Sequence, residues 1–368
     1  MAPQKQPCFV RGIHPQACLI LVRSPPSVKF ANMSSQKTPV LFIGAPGYIG
    51  GSVLGRLLQH PSADTLDITV FTTLEDKGKV LESRFPLLKV VYGSRQHIDQ
   101  VETLAETAHI VFNCADASDV PVAKAILNGL KKRHANTGDI PILIHTVVTV
   151  YSDVNVEQMK TIPVTNVHRN ANLAVVEADV EGYAHTHIIF PATIYGIAEG
   201  ALFDAGVAHP HSVQLPYLIK AALARKAAGI VGMENALWPN VHIHDVADLY
   251  MTLFDAILSG KSGHGWEGLY FAENGEHNWH DVNHAIGEAL VAVGVSTDPA
   301  PTPVTIEDHI RYYSDISMSR FYSGISSSCR ADRGRSIGWR PKYTTDDMLK
   351  SIRPEVEAII KRQKEGKA

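Results

Sequence analysis

Three glycines at three-residue spacing carry the first chemistry visible in the chain. Gly44-Ala-Pro46-Gly47-Tyr48-Ile49-Gly50 follows an apolar run, Pro39-Val-Leu-Phe-Ile43, and precedes Val53, Leu54, Leu57 and Leu58 at helical spacing. Strand, glycine turn and helix in that order make an anion site. The first turn of a helix presents unpaired N–H groups and the positive end of its dipole. Gly44 allows the tight turn, Gly47 lets the backbone approach a diphosphate, and Gly50 lets the helix pack on the strand. The pattern predicts a dinucleotide site with Pro46, Tyr48 and Ile49 beside it. The competing reading is a structural turn that holds no ligand.

Other residues belong to the same chemistry by position. Asp67-Ile-Thr-Val-Phe-Thr72-Thr73 ends where the adenosine ribose of a dinucleotide lies. An acidic residue there favours a free 2′-hydroxyl and an arginine favours a 2′-phosphate; the chain has neither. Thr72 and Thr73, with Lys77 or Lys79 adding charge, lean to NADP over NAD, while the two lysines equally well solvate a helix. Asn113-Cys114-Ala115 closes a later strand. Cys114 has no basic neighbour and reads as a small buried hydrophobe rather than a nucleophile.

These residues need a frame, and the chain alternates strand and helix to supply one. Strands are expected at 39–43, 67–73, 88–92, 109–113, 140–145 and 186–190. Helices are expected at 75–85, 98–107, 120–134 and 167–180. Such alternation with short connections predicts an α/β fold, a doubly wound parallel Rossmann sheet, with ligands beyond the carboxyl ends of its strands. The later residues supply a smaller C-terminal substrate domain. The expected division is an extension at 1–38, a dinucleotide-binding domain at 39–196, and a substrate domain at 197–341. Residues 240–258 return to the first domain, and 342–368 form a C-terminal helix and tail.

Composition agrees. The chain has 368 residues, 45% hydrophobic and 19% charged, with a formal net charge of −3. That excludes a disordered or fibrous protein and argues against nucleic-acid or anionic-membrane partners. No apolar run reaches the roughly 20 residues of a membrane-spanning helix. The four cysteines show no metal or redox spacing, so a reducing, cytoplasmic compartment is expected. Residues 1–32 are basic and the first acidic residue is Asp64. A mitochondrial transit peptide would look like this, but five prolines break its helix; a disordered extension, or a start at Met33, fits as well.

Several segments in order resemble the extended and atypical short-chain dehydrogenase/reductase superfamily, the NAD-dependent epimerase/dehydratase-like and NmrA-like proteins, and most of all fungal members. They are the glycine turn, Pro191-Ala-Thr-Ile194-Tyr195-Gly196, Asn240-Val-His-Ile-His-Asp-Val-Ala-Asp248, Tyr270-Phe-Ala-Glu-Asn-Gly275 and Ile337-Gly-Trp-Arg-Pro341. The resemblance implies that Pro191 and Ile194 lie against the nicotinamide and that Asn113, Cys114 and Ala115 pass the ribose. It makes 270–279 a strand and helix of the smaller domain, and it implies a homodimer through the helix at 167–180.

The superfamily's catalytic Tyr-x-x-x-Lys is missing. Aligned through Leu-Ala-Val-Val-Glu177, His168 takes the tyrosine position and Asn172 the lysine position. In His145-Thr-Val-Val-Thr149-Val-Tyr151, Val147 takes the place of the usual Ser or Thr. Histidine needs no lysine to titrate near neutrality. One reading is therefore an NAD(P)-dependent oxidoreductase or epimerase/dehydratase-like enzyme for a small hydroxyl- or carbonyl-bearing substrate. There His168 is the acid/base, Asn172 bonds the ribose, and Thr149 and Tyr151 orient the substrate. The other is an NAD(P)-binding redox sensor or regulatory protein with little catalysis.

Other clusters read more plainly. Among eighteen histidines, His280 and His284 share a helix face with His277 a turn before, yet no His-Glu-x-x-His occurs and no metal is expected. His185 and His187 alternate on a strand and read as flanking it. Leu202, Phe203, Val213, Leu215, Tyr217, Leu218 and Trp238 are expected to line a substrate pocket. Arg225 and Lys226 either meet an anion or cap a helix.

Overall fold

The computed structural model describes residues 37–94, 97–116, 119–146, 152–166, 168–232, 235–313 and 326–366. The first strand, β1 (Thr38–Ile43), is buried on both faces from Val40 onward. It therefore has to sit mid-sheet. It pairs in parallel with β2 (Leu66–Thr72) on one side and β4 (Ile110–Asn113) on the other. β3 (Lys89–Tyr92) lies outside β2; β5 (Ile142–Thr146) and β6 (His185–Pro191) follow β4. Strand order reverses between β1 and β4, which opens a crevice at their carboxyl ends. The crossover helices are α1 (Tyr48–Leu58), α2 (Glu75–Arg84), α3 (Ile98–Thr107), α4 (Val120–Thr137), α5 (Val156–Lys160) and α6 (Arg169–Val180).

A smaller unit follows from β7 (Thr193–Tyr195), α7 (Ala201–Asp204), α8 (Gln214–Arg225), β8 (Gly229–Ile230) and β9 (Leu237–His242). α9 (Ile243–Leu258) then returns to the large sheet, with Val246, Leu249, Tyr250, Leu253 and Phe254 in the first core. Three expectations change here. β10 (Leu269–Ala272) is the seventh strand of the large sheet, parallel to β6, not a strand of the smaller unit. All four of its residues are buried, so it needs cover on both faces. Residues 331 and 339 also join the first core. Finally, the C-terminal helix forms at Thr345–Lys364 but belongs to the smaller unit, since Met348, Ile352, Val356 and Ile359 sit in the second core with Leu218, Trp238 and Trp279.

Two buried carboxylates fasten the late segments onto the large sheet. Asp245 accepts from the Lys342 and Tyr343 N–H groups, each at 3.0 Å, and its carbonyl takes the Trp339 indole N–H. Asp153, which follows the segment after β5, accepts from the N–H groups of Phe271, Asp332 and Arg333 at 3.0 to 3.1 Å. Burial lifts its carboxyl to about 6. Asp153→Asn would turn an NH2 toward one of these buried N–H donors. It is expected to cost about 2 kcal/mol in urea denaturation at pH 7.

Candidate active site at the carboxyl ends of the strands

The glycine turn is built as its spacing predicts. Gly44 has φ +93°, and a Cβ there would lie 2.5 Å from the Cys114 carbonyl. A Cβ on Gly50 would meet the Gly44 oxygen at 2.0 Å. Strand and helix approach this closely only without side chains. Gly47 is the N-cap of α1; no side chain caps it and the first turn holds no acid. The N-terminal N–H groups and dipole end are thus left to an anion. A 290 Å³ cavity opens at this point, lined by Gly44, Pro46, Gly47, Thr72, Thr73, Cys114 and Ala115. Seven of the sequence-chosen cofactor residues come together there.

Others stand apart. The Tyr48 hydroxyl donates to the Gly196 carbonyl at 2.5 Å, tying α1 to the strand after β6 instead of meeting a ligand. Ile49 packs on the first core. Pro191 ends β6, and Ile194 pairs with Val241 in the smaller sheet. The described side chains do not favour a 2′-phosphate. Lys79 is paired with Glu75, and Lys77 donates to the Gly206 carbonyl. Among the described residues the cavity is lined by two carboxylates, Asp116 and Asp119, and by no cation. Thr72 already accepts from the Leu74 N–H.

Beside the cavity the ends of β4 and β5 place a buried polar group that the sequence reading passed over. The Asn113 side-chain oxygen accepts from the Ala115 N–H, which turns its NH2 toward His145 Nδ1 at 3.0 Å. His145 Nδ1 is then the acceptor and Nε2 carries the proton. Nε2 is buried with no protein partner among the described residues. Burial, and then the nearby His168, push the His145 imidazole down to about 4. Across neutral pH it is an uncharged N–H donor. The one clue in the sequence is a histidine after an apolar run near the end of the strand, Ile-Leu-Ile-His145.

His168 is the N-cap of α6 and stands at φ +65°. Only one other non-glycine residue among those described, Lys226, has positive φ. Such strain points to a function for the side chain. His168→Gly is expected to stabilise the fold by about 0.5–1 kcal/mol in urea denaturation, because glycine relieves the left-handed backbone. One turn on, Asn172 is buried and its side-chain oxygen has no protein partner among the described residues. His145, His168 and Asn172 thus bring a fixed N–H, a second imidazole and an acceptor to one end of the sheet. Thr149 and Tyr151 lie outside the described residues.

Further readings resolve as follows. Cys114 is half-buried with its thiol beside Thr146 and Tyr250, and burial of the thiol raises it to about 12, so it holds no thiolate at neutral pH. Leu215, Leu218 and Trp238 fill the second core. Only Leu202 and Phe203 of that set border a second cavity, of 640 Å³, on the outer side of α1. Arg225 caps the end of α8, bonding the Ala228 and Pro303 carbonyls and Asp308. His277 is buried against Trp279, and His280 and His284 pair with Asp281 and Glu288.

Comparison with protein-family models finds none that matches the chain. A curated relative, the oxidase ucsJ of Acremonium sp, is 26% identical over 358 residues, covering 88% of this chain and 96% of the relative. Among solved structures, dTDP-glucose 4,6-dehydratase from Bacillus anthracis in complex with NAD superposes with a TM-score of 0.59 at 17% identity, over 87% of this chain and 97% of that one. UDP-glucose 4-epimerase from Thermotoga maritima with UDP-glucose does so with a TM-score of 0.59 at 14% identity, over 89% and 100%. UDP-glucuronic acid 4-epimerase from Bacillus cereus, in complex with UDP-glucuronic acid and NAD, gives 0.59 at 12%, over 88% and 100%. The chain thus shares the fold of these epimerase and dehydratase structures.

Proposed function

We propose that the chain is an NAD(H)-dependent oxidoreductase for a small hydroxyl- or carbonyl-bearing molecule. The observation that carries this reading is the side-chain-free cradle: Gly44 and Gly50 in backbone contact, and an uncapped, acid-free helix start at Gly47. Gly44, Pro46 and Gly47 would hold the diphosphate, with Thr73, Cys114 and Ala115 along the rest of the cavity. The carboxylates of Asp116 and Asp119 disfavour a 2′-phosphate by repulsion, so NAD is preferred to NADP. When bound, the nicotinamide supplies a hydride donor or acceptor. The protein's part is orientation and proton handling. The His145 Nε2–H donates to a substrate oxygen and keeps its proton at neutral pH. His168 gives or takes the proton at that oxygen. Asn172 offers an acceptor, and Thr149 and Tyr151 orient the substrate. The 26% relative bears the name oxidase, which favours net redox turnover over epimerisation.

The missing Tyr-x-x-x-Lys keeps a second reading, a cofactor sensor without turnover. Fluorescence titration should show saturable NADH binding at least tenfold tighter than NADPH; binding of neither would end both readings. In a screen of carbonyl reduction and alcohol oxidation, His168→Gly is expected to lower turnover about 100-fold with NADH affinity unchanged. Tight NADH binding without turnover on any substrate supports the sensor.

A further inference from the structure

At the opposite edge of the sheet, where the strands begin, two histidines and one carboxylate converge. We propose that Asp179, His185 and His264 bind a single divalent transition-metal ion, with Zn2+ the best match. Asp179 is near the carboxyl end of α6, His185 opens β6, and His264 lies in the loop before β10. One ligand atom from each lies within 4.8 Å of the others. His264 Nδ1 is 2.8 and 2.9 Å from the Asp179 oxygens, His185 Nδ1 is 4.0 Å from Oδ2, and the two imidazole rings are 3.9 Å apart. Zinc bonds of about 2.0–2.1 Å place tetrahedral ligand atoms roughly 3.4 Å apart. The widest pair therefore has to close by about 1.5 Å, within the reach of side-chain rotation.

Three observations separate this cluster from a plain ion pair. An Asp–His pair needs one imidazole; a second ring pressed face-near against the first adds nothing to it and repels it if both are protonated. A metal ion uses both. The carboxylate is also held as metal ligands are held, with Asp179 Oδ2 accepting the Thr186 N–H at 2.8 Å. Finally, the loop is fitted to this carboxylate. Gly265 has φ +61°, and a Cβ there would stand 2.7 Å from Asp179 Oδ1. The loop reaches Asp179 only because residue 265 has no side chain. The neighbouring Gly263 backbone bonds His187, which anchors the loop from its other side. The His185 and His264 side chains are 29% and 45% exposed, leaving an open position for water. Two imidazoles and a carboxylate select Zn2+ or its neighbours over Ca2+ or Mg2+. The bound ion would clamp the far end of α6, the helix that begins with His168 and Asn172, to β6 and the loop.

The test is a titration of EDTA-stripped full-length protein with Zn2+ in competition with a chromogenic chelator, alongside thermal unfolding. One equivalent should bind in the micromolar range or tighter, and saturating Zn2+ should raise Tm by about 5 °C. His264→Gln and His185→Gln should each weaken binding at least 30-fold. His264 is exposed and His185 partly so, and unaltered circular dichroism in the stripped proteins would verify their folding. The double variant His280→Gln/His284→Gln should bind as the parent does. No saturable binding at micromolar Zn2+, or binding indifferent to both His185→Gln and His264→Gln, overturns the proposal. So does binding lost only in the 280/284 variant.

Discussion

Shifting the protein from pH 7.5 to pH 5.0 is expected to cost it several kcal/mol of stability. His145, His187 and His277 are each no more than 2% exposed. Burial holds them at about 4, about 3 and about 3, against an ordinary value of 6.5. In the folded state these rings stay neutral well below the pH at which the unfolded chain takes up protons. Their contribution is complete above pH 6.5 and is lost as pH falls from there toward the folded values. At pH 5 the loss is about 2 kcal/mol for each ring, and about 6 kcal/mol together, against a total of about 5–15 kcal/mol for a typical fold. Asp153 acts in the opposite direction, since its raised carboxyl favours the fold as pH falls through 6, and it offsets part of one ring. Urea denaturation at pH 7.5, 6.0 and 5.0 reads the slope directly. Neither His277 ring nitrogen has a protein partner among the described residues, and the ring packs edge-on against Trp279. His277→Phe should therefore remove about a third of the acid loss and raise stability at neutral pH. Equal stability at pH 5.0 and 7.5 would refute the account.

Gly47→Asp should abolish dinucleotide binding while leaving the fold intact. Gly47 has φ −76° and ψ 168°, the extended geometry of an N-cap. Aspartate is among the best residues for that position, because its carboxylate accepts the first N–H groups of the helix. Its Cβ would sit 3.2 Å from the Gly44 oxygen, a contact that a few tenths of an ångström of movement relieves. Stability is then expected to stay within about 1 kcal/mol of the parent. The same carboxylate occupies the N–H groups a diphosphate needs and sets a negative charge against it. NADH affinity should fall about 1,000-fold, or about 4 kcal/mol. Fluorescence titration beside urea denaturation separates the two effects. Retained NADH binding in a folded Gly47→Asp protein would remove the diphosphate from this turn.

Much of the frame could be read from local pattern. The run Val40–Ile43 is apolar on both faces, the glycine turn sits between strand and helix, and alternation dictates parallel crossovers. Ile98–Thr107 is a helix from end to end as its periodicity indicates. The substrate-wall reading was less successful. Leu215, Leu218 and Trp238 are apolar, and apolarity alone does not distinguish a pocket lining from a second core. Tyr270–Ala272 reads as a strand in either unit; its place beside β6 follows from pairing at long sequence separation.

What the sequence by itself determined is the α/β alternation and the glycine turn, because both are written in contiguous residues whose backbone freedom, periodicity and charge act over one or two turns of chain. What only the tertiary structure decided is the polar group around His145, the carboxylates lining the cavity at the glycine turn and the Asp179–His185–His264 cluster. Each is assembled from residues that topology, not spacing, brings within a few ångströms. The pKa of a buried imidazole is likewise set by what surrounds it in space.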